Sequence, residues 1–444
     1  MDSTSRKPYG SFHYIRRTPT VEEEKVSLGL VTGMVCMRCR REFGVLKSAL
    51  WCPDCGMEGT FDVQYDYESI GKVLTPARLA QTATRTQWRF QPLLPVRGQK
   101  SAPPLEVGPT PLYDAPALAQ TIGIDRVWLK NEGANPTGAA EDRATALALA
   151  RAREDNYAMV TCGATGDAAL STAAFGAATG IRTTVFVSRE APEGFVARLL
   201  LLGSDAYVVE GDYEDAVRLS LRCAEEYGWY NRNRALNPYL AEGLKTIAFE
   251  LGEQMQWHVP DCVVVPVAEG STIAAVWKGY CEMLRLKWVR RLPRMIGVQA
   301  AGAAPIYAAW KEGGEPVPVK PQTMARSLAV GAPRDWRKAI EAVRKSNGLL
   351  VAVSDREIHQ AMHLLGERSG VLAEPASAAT LAGLVSLLRA RELPRQLSAV
   401  LVLPGSGLRH GEAIVEATGA PRTVPPNFDQ VRTILQRAMS RTPF

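Results

Sequence analysis

From Arg126 onward the chain alternates between two hydrophobic periodicities. Apolar or β-branched runs at 126–130 ("RVWLK"), 183–188 ("TTVFVS") and 206–211 ("AYVVEG") predict short strands. Between them, "EDRATALALARARE" at 141–154 reads as an amphipathic helix and "PEGFVARLLLLG" at 192–203 as another. Three stretches join a strand to a helix through a tight glycine-containing loop: 157–180, 261–284 and 399–413. Strands spaced by helices predict parallel sheets with helices on their faces. In such sheets ligands settle at the carboxyl ends of the strands, beside helix N-termini, which is where these three loops fall.

The pattern before residue 110 is different. Residues 1–30 are polar and basic and predict an arm. Residues 31–66 hold Cys36, Cys39, Cys52 and Cys55 in a C-x2-C-x12-C-x2-C spacing. Four thiolates on two short knuckles can close a tetrahedron around zinc, and four ligands leave no open position, so the metal would be structural. Residues 67–110 form a connector into the following α/β region. Residues 431–444 end the chain as a helix or tail.

Composition adds exclusions. The chain is 46% hydrophobic and 22% charged, an ordinary globular balance. The net charge is +6 with no dense basic stripe, so nucleic acid is not expected as a partner. No secretory leader and no long apolar run is visible, which predicts a cytoplasmic protein without a membrane span. The scattered remaining cysteines fit a reducing compartment.

Taken together, "GPTPLYDAPALA", "LKNEGANPTG", "NPYLAEGLKTIAFELGEQ", "PRMIGVQAAGAAPIY" and "AEPASAATLAGL" resemble the threonine synthase and cysteate synthase family. That family comprises fold-type II enzymes using pyridoxal phosphate (PLP). The resemblance spans roughly residues 30–430. It implies an α/β fold of the tryptophan synthase β-like kind: two open parallel-sheet domains, a zinc ribbon before them, and a homodimer. On that template 111–245 would be mainly the small domain, with strand exchange to the large one, and 246–430 the large domain.

Four departures fall on cofactor contacts. Where the family motif carries its imine-forming lysine, this chain has Glu141, within Asn135–Arg143. A carboxylate cannot form an imine. Asp167 stands in the loop where the family places an asparagine, Glu269 enters the family's phosphate loop, and Pro404 replaces a threonine. These changes predict that PLP is not used. Lys130 and Lys245 are the candidate substitutes, and by the resemblance both match lysines that the family already carries.

The expectation that follows is a cofactor-free lyase acting by elimination or addition on an anionic, amino-acid-derived substrate. Glu141 would be its general base with a raised pKa, and Asp167 and Glu269 would join it or bind a second, hard cation. By family analogy a sulfonate route such as coenzyme M formation is the chemistry implied. Thr165, Gly166, Ser271, Thr272, Lys245, Ser406 and Arg143 are the candidate substrate contacts. Two other classes compete: a non-catalytic metabolite binder or partner of another enzyme, and a PLP-dependent synthase with a substitute lysine.

Overall fold

The computed structural model describes residues 28–45, 50–164, 166–418 and 423–439. Most of the predicted arm, and Thr165, lie outside the described residues.

A small antiparallel sheet comes first, built from β1 (Val31–Cys36), β2 (Glu42–Phe43) and β3 (Phe61–Tyr65) in the order β2-β1-β3. The alternating burial of β3 turns Phe61, Val63 and Tyr65 inward. Ion pairs dock this unit on the large domain: Lys278 with Asp62 at 2.8 Å, Arg40 with Glu341 at 2.6 Å and Arg337 with Glu58 at 3.1 Å.

Two further sheets follow. β4 (Leu112–Asp114) and β5 (Arg126–Asn131) open the larger one. β6 (Met159–Gly163), β7 (Arg182–Ser188), β8 (Asp205–Val209) and β9 (Tyr230–Asn231) form a separate parallel sheet in the order β8-β7-β6-β9. The chain then returns with β10 (Cys262–Pro266), β11 (Arg294–Ala300), β12 (Leu349–Val353) and β13 (Ser398–Leu403). The larger sheet runs β12-β11-β10-β13-β5-β4, parallel except for β4. β10 is buried along its whole length, as a central parallel strand with helices on both faces must be.

One expectation needs correcting. The helix Glu141–Glu154 is not amphipathic in its setting: every residue from Glu141 to Ala152 is buried. Its many alanines allow close approach, and at Gly243 of the neighbouring helix a Cβ would lie 2.2 Å from the Arg143 carbonyl oxygen. The charged residues at its start are satisfied inside the protein rather than by water.

Among the described residues no helix is long and apolar enough to cross a membrane.

Candidate active site

A cavity of about 700 Å³ opens between the two larger sheets at the carboxyl ends of their strands. β6 contributes Gly163 and Ala164, β10 leads into Ala268 and Glu269, and Pro404 follows β13. Glu141, Gly166, Asp167, Glu269 and Thr272 line it, so the three acids singled out from sequence do reach one space.

The loop before Glu141 is held by its own backbone demands. Asp142 accepts from Thr137 N at 2.7 Å and Thr137 Oγ1 at 2.6 Å, and from Ser171 Oγ at 2.6 Å. Gly138 has φ +81°, and a Cβ there would meet Arg409 Cδ at 3.0 Å.

Glu141 sits at the first turn of its helix between two arginines. Arg232 Nη2 donates to its Oε2 at 2.5 Å, and Arg234 pairs with its Oε1. Burial alone would push this carboxyl up, but the Arg234 and Arg232 guanidiniums override it and hold it below the usual carboxylate range. The raised pKa expected of a base is therefore reversed at Glu141, because two cations face one anion.

Asp167 begins the helix Asp167–Thr179 and pairs with Arg409. Burial and the Glu374 carboxylate raise it to about 6, against the opposing pull of Arg409 and His410. His410 Nε2 lies 3.0 Å from Glu374 Oε2. Burial disfavours the imidazolium, yet Glu374 outweighs it and holds His410 above its ordinary value. Glu269 is raised by burial, although Arg334 neutralises it at 2.9 Å and Tyr213 donates to it at 3.2 Å. Each acid thus has its own cation. Among the described residues only the four cysteines gather closely enough for a shared metal, so the expected second cation site on the acids is not formed.

Other sequence candidates lie elsewhere. Arg143 is completely buried and paired with Glu132 and Glu250, both at 2.6 Å. Lys245 is equally buried, between Glu242 at 2.6 Å and Glu282 at 2.9 Å. Ser271 donates to Asp335 at 2.6 Å, and Ser406 accepts from Leu408 N at 3.2 Å. None of these four lines the cavity. Lys130 is held by Glu250 at 2.7 Å and the Thr110 carbonyl at 2.9 Å. Sequence reading also missed Arg232, Arg234 and Glu374. The available signal was the pair of arginines two residues apart after β9, a spacing that puts both on one side of extended chain, and the need of any buried Glu141 for cations.

In the cysteine unit all four Sγ atoms lie within 4.8 Å of one another. Arg38 N and Cys39 N approach Cys36 Sγ at 3.4 and 3.5 Å. At Gly59 a Cβ would meet the Cys52 and Cys55 Cβ atoms at 2.6 Å, so the turn needs glycine. The arrangement is compatible with a zinc ribbon.

The fold and the placement of this cavity define a fold-type II α/β enzyme. Residues 104–405 match the family model described as pyridoxal-phosphate dependent enzyme. Threonine synthase of Methanocaldococcus jannaschii is 35% identical over 408 residues, covering 90% of this chain and 98% of that one. Threonine synthase of Synechocystis is 37% identical, covering 78% and 89%. Among solved structures, diaminopropionate ammonia lyase from Escherichia coli superposes with a TM-score of 0.63 at 19% identity, over 77% of this chain and 91% of that one. This chain belongs to the pyridoxal-phosphate-dependent enzyme family, alongside the threonine synthases.

These matches correct the cofactor expectation. Membership of a PLP-dependent family overturns the prediction that PLP is not used, and with it the cofactor-free elimination based on Glu141. The residues present fit the group in part. The helix Ser271–Arg285 offers its N-terminus to a phosphate, after Gly270 at φ +99°, where a Cβ would meet the Asp335 carbonyl at 2.8 Å. Among the described residues no lysine lines the cavity, so they do not fit a cofactor tethered through an imine.

Proposed function

We propose that this chain is a lyase of the threonine synthase kind acting on a small, anionic, amino-acid-derived substrate. Family resemblance implies elimination or replacement at the β or γ carbon of an amino acid carrying a phosphate leaving group. The observation that carries the reading is the cavity wall. Arg198, Arg234, Arg326, Arg409 and His410 face a space large enough for such a molecule, at the strand ends where α/β enzymes bind ligands. In this reading Asp167 is the residue able to exchange a proton near neutral pH, since its carboxyl is raised to about 6. Arg409 orients that carboxylate and His410 anchors Glu374 beside it.

The test is phosphate release from O-phosphoserine and O-phosphohomoserine, with and without added PLP. Release that needs the folded protein and is lost in Asp167→Asn supports the reading. No release from either compound sinks it. A second reading, a metabolite-binding paralogue without turnover, is favoured by the absence of lysine from the cavity lining among the described residues and by Glu141 held between two arginines. Thermal stabilisation by these compounds without phosphate release would select it.

A further inference from the structure

The triad Glu141, Arg232 and Arg234 is unbalanced. Two guanidiniums are paired with a single carboxylate, and among the described residues neither arginine has another anionic partner. Arg232 is completely buried. Thr145 Oγ1 pins one edge of it, accepting from Nε at 3.1 Å and Nη2 at 2.8 Å. Its Nη1 is buried and has no hydrogen-bond partner among the described residues, and the same holds for Arg234 Nε. Both arginines line the cavity, and Arg234 also reaches Thr272 Oγ1 at 3.3 Å. Burying a second guanidinium costs desolvation that one shared carboxylate does not offset. A cation surplus on two residues that line a cavity fits a site completed by an anion.

We infer that Arg232 and Arg234 form an oxyanion-binding subsite for the substrate, with Glu141 acting as its built-in counter-ion. The carboxylate occupies one face of the paired guanidiniums. An incoming phosphate or carboxylate takes the remaining donors and competes with Glu141 for Arg234, the more exposed of the two. Specificity then follows from charge: a neutral analogue leaves the surplus uncompensated and is rejected. The assignment rests on reading the cavity as a substrate site.

The probe is inorganic phosphate, titrated into the full-length protein by calorimetry. The expected result is one saturable site per chain. Glu141→Gln removes the internal competitor and should tighten phosphate at least tenfold, whereas Arg234→Gln should weaken it at least tenfold. A purely structural role for Glu141 predicts the opposite: loss of stability with no gain in affinity. Unchanged or weaker binding in Glu141→Gln overturns the inference. Because Arg234 is partly exposed, its variant is expected to fold. Should either variant fail to, saturable stabilisation of the unaltered protein by millimolar phosphate, absent with equal ionic strength of chloride, supports the site, and its absence overturns it. A competition arm separates the two sources of phosphate. Binding undisturbed by PLP supports a substrate subsite. Mutual displacement would assign the donors to the cofactor's phosphate and overturn it. Phosphate binding without turnover of any phosphorylated amino acid sinks the proposed function alone, and turnover without Arg234-dependent binding sinks the subsite alone.

Discussion

Arg143 offers a decisive perturbation because a functional and a structural account of it predict opposite outcomes. Its guanidinium makes two contacts to Glu132, at 2.6 and 3.0 Å, and two to Glu250, at 2.6 and 2.7 Å, with Thr246 at 2.9 Å. All three charged residues are buried. Arg143→Met keeps an unbranched apolar stem and removes the charge. Leaving a buried charge without its partner costs about 3–5 kcal/mol. The titration of Glu250 gives a second route to the magnitude. Burial pushes its carboxyl up, but Arg143 and Lys130 together outweigh burial and hold it at about 2, against an ordinary 4.5. At roughly 1.4 kcal/mol per unit that corresponds to about 3 kcal/mol. Lys130, still 2.7 Å from Glu250, retains part of it, so the lower end of the range is expected. The sign in pH follows from the depressed value. The stabilisation is fully present above pH 4.5 and is lost as pH falls towards 2. Urea unfolding followed by tryptophan fluorescence should show the variant destabilised at pH 7, with the gap to the parent narrowing near pH 3. Phosphate affinity should be unchanged. A variant as stable as the parent that has lost phosphate binding would refute the placement of Arg143 in the core.

Three further outcomes are expected. Glu141→Lys returns an amine to the cavity between Arg232 and Arg234, whose charges favour the neutral, nucleophilic form. Incubation with PLP, borohydride reduction and mass mapping should fix an adduct on residue 141, and a folded variant without one would show that the cavity does not bring an aldehyde there. For Asp167 the shift is upward, from 3.8 to about 6, so between those pH values the folded state holds the proton that the unfolded state has released. Stability therefore falls as pH rises through that window, by up to about 3 kcal/mol. Asp167→Asn should remove this contribution to the slope in urea titrations at pH 4 and pH 7, and an unaltered slope would refute the assignment. Finally, metal analysis should find one zinc per chain, lost in Cys52→Ser. Proteolysis of that variant should then begin within residues 31–65, and a metal-free parent with the same cleavage pattern would exclude a zinc ribbon.

Much of the fold could be read from the chain because its signals are local. The "VVVP" of β10 and "VLVL" of β13 are β-branched or apolar without alternation, as strands covered on both faces require. The cysteine spacing places four thiols together without any long-range information. What escaped reading depends on partners far away in sequence. Glu141, Asp142, Arg143, Arg151 and Arg153 made the helix at 141–154 look half-exposed. Arg143 instead closes on Glu250, 107 residues later, and Glu141 on Arg232, 91 residues later. A charge whose counter-charge arrives from another element looks like a solvated face, since periodicity reports apolar spacing and not pairing. The same blindness made Lys245 look like a substrate contact, when Glu242 and Glu282 enclose it.

The loop Asn135–Arg143 is held largely by residues other than Glu141. Asn135, Thr137, Gly138, Asp142 and Arg143 answer to demands that do not involve residue 141. Asn135 accepts from Gly108 N at 3.2 Å and donates to Glu132 at 3.0 Å, joining two loops. Asp142 ties Thr137 to Ser171. Gly138 needs a left-handed backbone and room beside Arg409. Changing any of these would disturb backbone closure around the whole strand-end cavity. Position 141 is different: its side chain pairs with Arg232 and Arg234 and lines the cavity. A carboxylate is tolerated there because two cations meet it, and the three side chains together keep one positive charge in excess. The loop is thus a scaffold that fixes where residue 141 points, and the chemistry of the cavity is set by what stands there and by the charges gathered round it.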